Sequence, residues 1–321
     1  MKPFDYAIAE NRAGALAALQ QGYRVLAGGV DLADLLKEGV EPHDRLVSID
    51  ALDDLRAIER TEDGGLRLGA LATLAGIAAF PDLPRLFPAL AEAASNTASP
   101  EVRARATLAG NLLQRPRCWY YRSADFPCLK KGGSQCYAWA GENAPHSIFP
   151  SGACRIVHPS SLAPVLVAAG AEIVTDGPDG ERRYRAGEFF VNTDRDPINE
   201  TVLPQNELVV RVDLDELPAR SAYIELKERQ VYDWPLASCA AAWDGSKWHI
   251  VLGHVAPLPW RAVAAEELLQ GHADLDEALA ERAAEAAVSD AQPMSQNAFR
   301  VRWARAAVRR ALLKACGKEP V

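Results

Sequence analysis

Residues 115–155 of this 321-residue chain follow neither the apolar periodicity of a helix nor that of a strand. The segment is rich in residues that interrupt regular structure: Pro116, Pro127, Pro145, Pro150, Gly132, Gly133, Gly141 and Gly152. Irregular loops of this length are uncommon in a compact domain unless they are functional or disordered. Disorder is disfavoured by the aromatic residues Trp119, Tyr120, Tyr121, Phe126, Tyr137, Trp139 and Phe149. Something other than backbone ladders must therefore hold this segment.

Four of the six cysteines of the chain lie in this segment, at Cys118, Cys128, Cys136 and Cys154. A chain of this size needs no disulfides, so the cluster favours metal or redox chemistry. Iron–sulfur clusters bind four thiolates and accept varied spacing because the cluster is larger than one ion. Structural zinc usually takes close Cys-x2–4-Cys pairs, which are absent here. Zinc and four unrelated buried cysteines are the alternatives.

The charge of the segment differs from that of the chain. Its six basic residues, against the two acids Asp125 and Glu142, are Arg115, Arg117, Arg122, Lys130, Lys131 and Arg155. The whole chain has a net charge of −8. Cations stabilise thiolates and the negative cluster that they bind, so we expect these bases to lie near the cysteines.

The acidic total argues against nucleic acid or an anionic membrane as the main partner. No apolar run is long enough to span a bilayer, so we expect no membrane insertion. The N-terminus lacks the charged start and apolar core of a secretory signal. We therefore expect the chain to work in the cytoplasm, or in the periplasm if a signal-bearing partner exports it.

Helical and strand patterns succeed one another without a steady βαβα alternation, which predicts an α+β fold. The patterns predict helices over 10–20, 86–98 and 162–170, and strands over 23–26, 45–49, 237–243 and 248–254. We place a domain boundary near residues 217–219. The histidines are scattered, and no hydrolytic constellation emerges, so we assign no catalytic residue to this chain.

Two glycine-containing turns lie upstream of the cysteines. The first is a strand, a Gly-Gly turn and a helix start, with the residues Leu26, Ala27, Gly28, Gly29, Val30, Asp31 and Leu32. Glycines there allow backbone amides to approach an anion closely. The second, Thr107 to Asn111 with Gly110, interrupts a helical pattern. Taken alone, each is also explained as a tight connection or a capped helix end.

Together these motifs resemble the FAD-binding subunits of the xanthine dehydrogenase family of molybdenum hydroxylases. The run 26–32 resembles the family's first flavin-phosphate loop, and Thr107, Gly110 and Asn111 fall in its second. Ser161 lies where the family has a Ser-Asp pair near the flavin, and Lys227 where a family lysine approaches the isoalloxazine ring. The chain departs from the family at Val30 (frequently Thr), Ala109 (Gly) and Ser161 (Asp).

The cysteine segment narrows the resemblance, because most family members lack it. It is similar to the insertion in the medium subunits of bacterial aldehyde oxidoreductases of the periplasmic type, and to that of 4-hydroxybenzoyl-CoA reductase. Those insertions hold a [4Fe-4S] cluster. The resemblance therefore implies that Cys118, Cys128, Cys136 and Cys154 bind such a cluster.

The resemblance implies an FAD-binding domain of the vanillyl-alcohol-oxidase (PCMH) type, with two subdomains, over residues 1–218, and a C-terminal α+β domain over 219–321. It implies an electron-transfer subunit with one FAD and one [4Fe-4S] cluster. A large molybdenum-cofactor subunit and a small [2Fe-2S] subunit would be its partners, and a soluble acceptor would take the electrons. The alternatives are the flavin subunit of a related hydroxylase or aromatic acyl-CoA reductase, and a non-enzymatic scaffold with structural zinc.

Overall fold

The computed structural model describes residues 2–229 and 232–319. These residues form three β-sheets with helices packed against them, which confirms the α+β class. No helix among them is long and apolar enough to cross a membrane.

The first sheet is small and parallel, with strand order β1-β3-β2. Its part of the chain contains β1 (Asp5–Ile8), α1 (Arg12–Gln20), β2 (Arg24–Leu26), α2 (Val30–Glu38) and β3 (Arg45–Ser48). Because β2 and β3 pair in parallel, β2, α2 and β3 form a βαβ unit. The crossover places the N-terminus of α2 at the carboxyl end of β2, the edge at which open α/β sheets bind ligands.

The second sheet is antiparallel, with strand order β4-β5-β8-β6-β7. Its part of the chain contains β4 (Ile58–Arg60), β5 (Leu66–Gly69), α3 (Leu74–Ala78), α4 (Leu83–Leu86), α5 (Pro88–Asn96), α6 (Pro100–Arg105), α7 (Leu108–Leu112), α8 (Trp119–Arg122), α9 (Leu162–Ala168), β6 (Glu172–Gly177), β7 (Gly180–Arg185), α10 (Ala186–Phe189) and β8 (Leu208–Leu214). Leu90 of α5, Leu108 of α7 and Leu166 of α9 are fully buried in one apolar cluster. This shared core fixes α7 against α9.

The cysteine segment leaves this layer between α7 and α9. Besides α8 it contains the 3-10 turns Leu129–Lys131 and Tyr137–Trp139, and it forms no strand of the three sheets. The expectation of an irregular but ordered segment is therefore confirmed. Side-chain and main-chain bonds hold it, for example from the Ile148 N–H to the Val255 carbonyl at 2.9 Å.

The third sheet is antiparallel, with strand order β12-β11-β10-β9. Its part of the chain contains β9 (Arg220–Leu226), β10 (Ala237–Trp243), β11 (Trp248–Gly253), β12 (Trp260–Arg261), α11 (Val263–Leu268), α12 (Glu277–Ala286) and α13 (Phe299–Ala315). Every residue of β10 is buried, because α13 packs against one face and α5 and α9 contact the strand as well.

Arg300, at the start of α13, is a buried cation that joins this layer to the cysteine segment. Its side chain is 1% exposed. Its Nη1 donates to the His146 carbonyl at 2.9 Å, and its Nη2 donates to the carbonyls of Leu236 and His254, each at 2.5 Å. The Asn297 amide also donates to the His146 carbonyl, at 2.9 Å. Burial lowers the pKa of Arg300 to about 10, so it keeps its charge at neutral pH.

Candidate functional site

A cavity of about 800 Å³ lies where the first two sheets and the end of β9 approach one another. Of the residues predicted to bind a nucleotide, those that line it are Ala27, Gly28, Gly29, Val30, Asp31, Leu32, Thr107, Gly110, Asn111, Ser161 and Lys227. Leu26, the last residue of β2, is not among the lining residues. Residues from distant parts of the sequence therefore meet at one concave site, the usual form of a cofactor site.

The first glycine turn is shaped by close backbone approach. A Cβ atom on Gly28 would lie 1.9 Å from the carbonyl oxygen of Arg105, so no larger residue fits without a shift. Gly29 has a φ of 75° and is the N-cap of α2. Among the described residues no side chain caps this helix, so its first amides are available to an anion.

The second glycine motif is a helix start. The Thr107 hydroxyl oxygen caps α7 by accepting from the Gly110 amide at 3.1 Å, and Gly110 and Asn111 lie inside the helix. The predicted interruption at Gly110-Asn111 is therefore wrong, because the cap at Thr107 starts a new helix. Asn111 accepts from the Ser160 hydroxyl at 2.6 Å, which ties α7 to the start of α9.

The Lys227 ammonium group lies at the other side of the cavity, just after β9. It is ion-paired with Glu225 and donates to the Asn96 carbonyl at 3.0 Å. The two side chains are 10% and 6% exposed. Burial raises the pKa of Glu225, and Lys227 opposes the shift. Glu225 was not predicted from the sequence, although side chains two positions apart in an extended segment point to the same side.

The four predicted cysteines, Cys118, Cys128, Cys136 and Cys154, line one small pocket. Cys128 and Cys154 are 5% and 3% exposed. Burial raises the pKa of the Cys118 thiol to about 11, whereas hydrogen bonding from Cys154 lowers the pKa of Cys136. Within the described ranges, no three Cys, His, Asp or Glu side chains are grouped closely enough to hold a single metal ion.

The bases of the segment do not all face these cysteines, and here the sequence expectation needs correction. Arg155 and Lys130 lie close enough for their charges to favour the thiolates of Cys136 and Cys154. Arg117 and Arg122 instead pair with Asp31 at the cavity.

Arg115 likewise points away from the cysteines. Its Nε donates to Glu41 at 2.6 Å and to the Tyr121 hydroxyl at 2.8 Å, and its guanidinium is ion-paired with Glu200. Lys130 reaches the same Glu200 at 2.5 Å. Most basic residues of the segment are therefore ion-paired with carboxylates that lie far away in the sequence.

Comparison with known protein families identifies the family to which a chain with these two sites belongs. The FAD binding domain in molybdopterin dehydrogenase matches residues 2–216, and the CO dehydrogenase flavoprotein C-terminal domain matches residues 221–315. The chain belongs to the family of FAD-binding subunits of the molybdenum hydroxylases. It is thus an oxidoreductase subunit, as the sequence resemblance implies.

Relatives match over nearly the whole chain. The chain is 35% identical to the aldehyde oxidoreductase FAD-binding subunit PaoB of Escherichia coli, over 94% of each protein. It is 27% identical to the carbon monoxide dehydrogenase medium chain of Hydrogenophaga pseudoflava, over 90% of this chain and 88% of that one. A solved structure of carbon monoxide dehydrogenase from the same organism superposes with a TM-score of 0.76 at 26% identity, over 98% of both chains.

Proposed function

We propose that this member of the family is the electron-transfer flavoprotein subunit of a molybdenum-dependent aldehyde oxidoreductase. It binds one FAD in the large cavity and one [4Fe-4S] cluster in the cysteine pocket. It receives electrons from a small [2Fe-2S] subunit and passes them to a soluble acceptor, while the aldehyde is oxidised on a large molybdenum-cofactor subunit. The observation that carries the proposal is that the cysteine pocket adjoins the FAD-type cavity: Arg117 lines the cavity and the next residue, Cys118, lines the pocket.

The chain's own residues fit an FAD. The close approach at Gly28 and the uncapped N-terminus of α2 suit a diphosphate, which backbone amides would bind. Val30 supplies no hydroxyl group, so in our proposal these amides bind the phosphates without its help. Lys227 and Glu225 would lie beside the flavin ring, where the balance of their charges would set its potential. The flavin supplies the chemistry of accepting and releasing electrons, and the protein positions and tunes it.

The chemistry of the donors supports an iron–sulfur cluster. Four cysteines line one small pocket, and iron–sulfur clusters are held by four thiolates. Cys118, Cys128, Cys136 and Cys154 are the proposed ligands.

The proposed assembly is supported by the relatives, an aldehyde oxidoreductase FAD-binding subunit and a carbon monoxide dehydrogenase medium chain, each of which is one subunit of a larger enzyme. We choose an aldehyde as substrate class because the aldehyde oxidoreductase subunit matches at the higher identity and coverage. We also propose the division into an FAD-binding domain over 1–218 and a C-terminal domain over 219–321. The change of sheet between β8 and β9 supports this boundary.

The test is an absorbance spectrum of the complex, purified anaerobically with its native partners, before and after dithionite. We expect flavin bands above a broad absorbance that bleaches, with about four irons per complex in addition to those of the small [2Fe-2S] subunit. Cys128→Ser should lose these additional irons and keep those of the small subunit, whereas the matched control Cys316→Ser, outside the pocket, should keep all of the iron. A colourless complex would contradict both cofactors and favour the zinc scaffold. Unchanged iron and stability in Cys128→Ser would contradict the cluster alone.

A further inference from the structure

Asp31 occupies an unusual position between the two proposed cofactor sites. It is the second residue of α2, the helix that begins after the Gly28-Gly29 turn, and it lines the large cavity. Yet the partners that the structure gives its carboxylate all come from the cysteine segment. They are the backbone N–H of Arg115, at 2.8 Å, and the guanidinium groups of Arg117 and Arg122, the latter at 2.6 Å.

The same arginines fix the path of the cysteine segment. Arg122 donates to the carbonyls of Pro116 and Arg115 at 2.9 and 3.1 Å. Arg117 donates to the Gln114 side chain at 2.9 Å and lies 4.6 Å from the centre of the Trp234 ring. A guanidinium that bonds Asp31 at one edge and a carbonyl at another transmits the position of one segment to the other.

Apolar packing adds a second connection between α2 and the cysteines. Leu35 of α2 and Val40, just beyond it, form a buried cluster with Tyr121 and Cys128. Leu35 and Tyr121 are 1% and 0% exposed. The helix whose N-terminus faces the cavity thus packs, one turn later, against a proposed cluster ligand. Interiors packed in this way are bistable rather than continuously deformable, so disorder at the cysteines would disturb α2.

Charge explains why the connection matters for an anionic ligand. An unneutralised carboxylate in the first turn of α2 would repel a diphosphate at the same helix end. Although burial alone would raise it, the pKa of Asp31 is lowered by the charges of Arg117 and Arg122. These cations therefore offset the Asp31 charge only while the cysteine segment is folded against α2.

We propose that Asp31 is a positioning residue that couples the two sites, so that FAD and the iron–sulfur cluster bind cooperatively. This inference rests on the proposed function, because it requires both cofactors on this chain. Coupling between binding sites is reciprocal: the factor by which the cluster tightens FAD binding equals the factor by which FAD tightens retention of the cluster. Couplings of this kind are commonly about tenfold.

The experiment is a double-mutant cycle on the complex, with FAD removed and then titrated back while its fluorescence is followed. Cys128→Ser, which lacks the cluster, should weaken FAD binding about tenfold. Asp31→Asn should weaken it as well, because it releases the Arg117 and Arg122 cations from the end of α2. The double variant should bind no more weakly than Asp31→Asn. Glu38→Gln is the matched control: it removes an exposed carboxylate from the same helix and should bind FAD as the wild type does.

A second readout keeps the cysteines intact and so avoids variants that fail to fold. The iron that Cys128→Ser lacks is titrated with a chelator at equilibrium, with and without FAD. FAD should raise the chelator concentration that removes half of this iron about tenfold in the wild type and in Glu38→Gln, and have no effect in Asp31→Asn.

Two results would overturn the coupling while both cofactors stay in place. One is that the losses of FAD affinity in Cys128→Ser and Asp31→Asn add up in the double variant. The other is that FAD protects the iron in Asp31→Asn as much as it does in the wild type. A wild-type complex that holds no more iron than Cys128→Ser does, or that holds no FAD, would overturn the proposed function and the coupling with it.

Discussion

The Nε2 atom of His146 lies 3.3 Å from the Sγ atom of Cys118. The imidazole is buried, at 1% exposure, and both burial and the charge of Arg300 lower its pKa to about 4. At neutral pH the ring is therefore uncharged. Against a thiolate its Nε2 has to carry the hydrogen and donate it, since a thiolate sulfur only accepts.

Replacing His146 should shift the potential of the cluster. A hydrogen bond to a ligand sulfur stabilises the more negative, reduced state. Losing about 1 kcal/mol of such stabilisation corresponds to about 40 mV for a one-electron couple. His146→Phe should therefore lower the midpoint potential, measured by a redox titration of the iron–sulfur signal, and His146→Gln should lower it less. The exposed His272→Phe serves as control; a potential unchanged in His146→Phe would remove the role of this bond.

The glycine turn at the cavity should not tolerate a side chain. Gly28→Ala places its Cβ 1.9 Å from the Arg105 carbonyl oxygen, so the turn must move away from α6. We expect a loss of about 2 kcal/mol in the free energy of unfolding and an FAD dissociation constant raised at least about tenfold. Gly39→Ala, at the other end of α2 with a φ of 70° and open space, controls for backbone strain. It should cost about 1 kcal/mol and leave the FAD dissociation constant unchanged; equal affinities in both variants would contradict the prediction.

Lys227 and Glu225 should act on the flavin as a pair. Glu225→Gln leaves the Lys227 cation without its counter-charge, so the flavin midpoint potential should rise, because a nearby positive charge favours the reduced, more negative ring. Lys227→Met should lower it by less, since Glu225, whose pKa burial raises, takes up a proton more readily once Lys227 is lost. Spectroelectrochemical titration of the complex measures both, with the exposed Glu228→Gln as reference. A potential insensitive to Glu225→Gln would mean that the ring lies elsewhere in the cavity.

Two buried histidines should make the protein sensitive to acid. Burial, with smaller contributions from nearby cations, lowers the pKa of His158 and of His254 to about 3, against about 6.5 in an unfolded chain. Between these values the unfolded chain binds protons that the folded chain does not, so stability is present above about pH 6.5 and is lost as the pH falls. From pH 7.5 to pH 5.5 the free energy of unfolding should fall by about 3 kcal/mol from these two groups.

Urea unfolding at the two pH values measures this loss. His254→Gln should be less stable at pH 7.5, because the ring contacts Ser238 at 3.0 Å and the Pro159 carbonyl at 3.3 Å, but its stability should fall less steeply with acid. The exposed His272→Gln should keep the wild-type slope. An unaltered slope in His254→Gln would show that other groups govern the acid sensitivity.

The sequence predictions that proved right rest on local patterns of apolar and turn residues. The strand over 237–243 is confirmed at both ends, because a buried run between turn residues leaves little freedom. The edge strand β1 was missed, since its apolar side chains Tyr6 and Ile8 are 55% and 62% exposed and give no buried pattern. The cysteines could be assigned to one pocket because their number and spacing carry information that charges do not.

The pairing of Asp31 with Arg117 and Arg122 lay beyond sequence reasoning. Nothing in the spacing of charged residues more than eighty positions apart specifies which will meet. The sequence suggested that the bases face the thiolates, but Arg117 and Arg122 pair with Asp31 of α2 instead. The folded chain brings carboxylates and arginines together because neither could be buried there alone.

The bonds of Arg300 and Asn297 to the carbonyl of His146 have a consequence for how this protein could have evolved and how it can be engineered. The cysteine segment cannot be removed without further change. Its excision would leave the buried guanidinium at the start of α13 without one of its hydrogen-bond acceptors. Gain or loss of the segment must therefore be accompanied by substitutions at Arg300 and Asn297. A graft of these four cysteines into another scaffold of the family should carry both residues along.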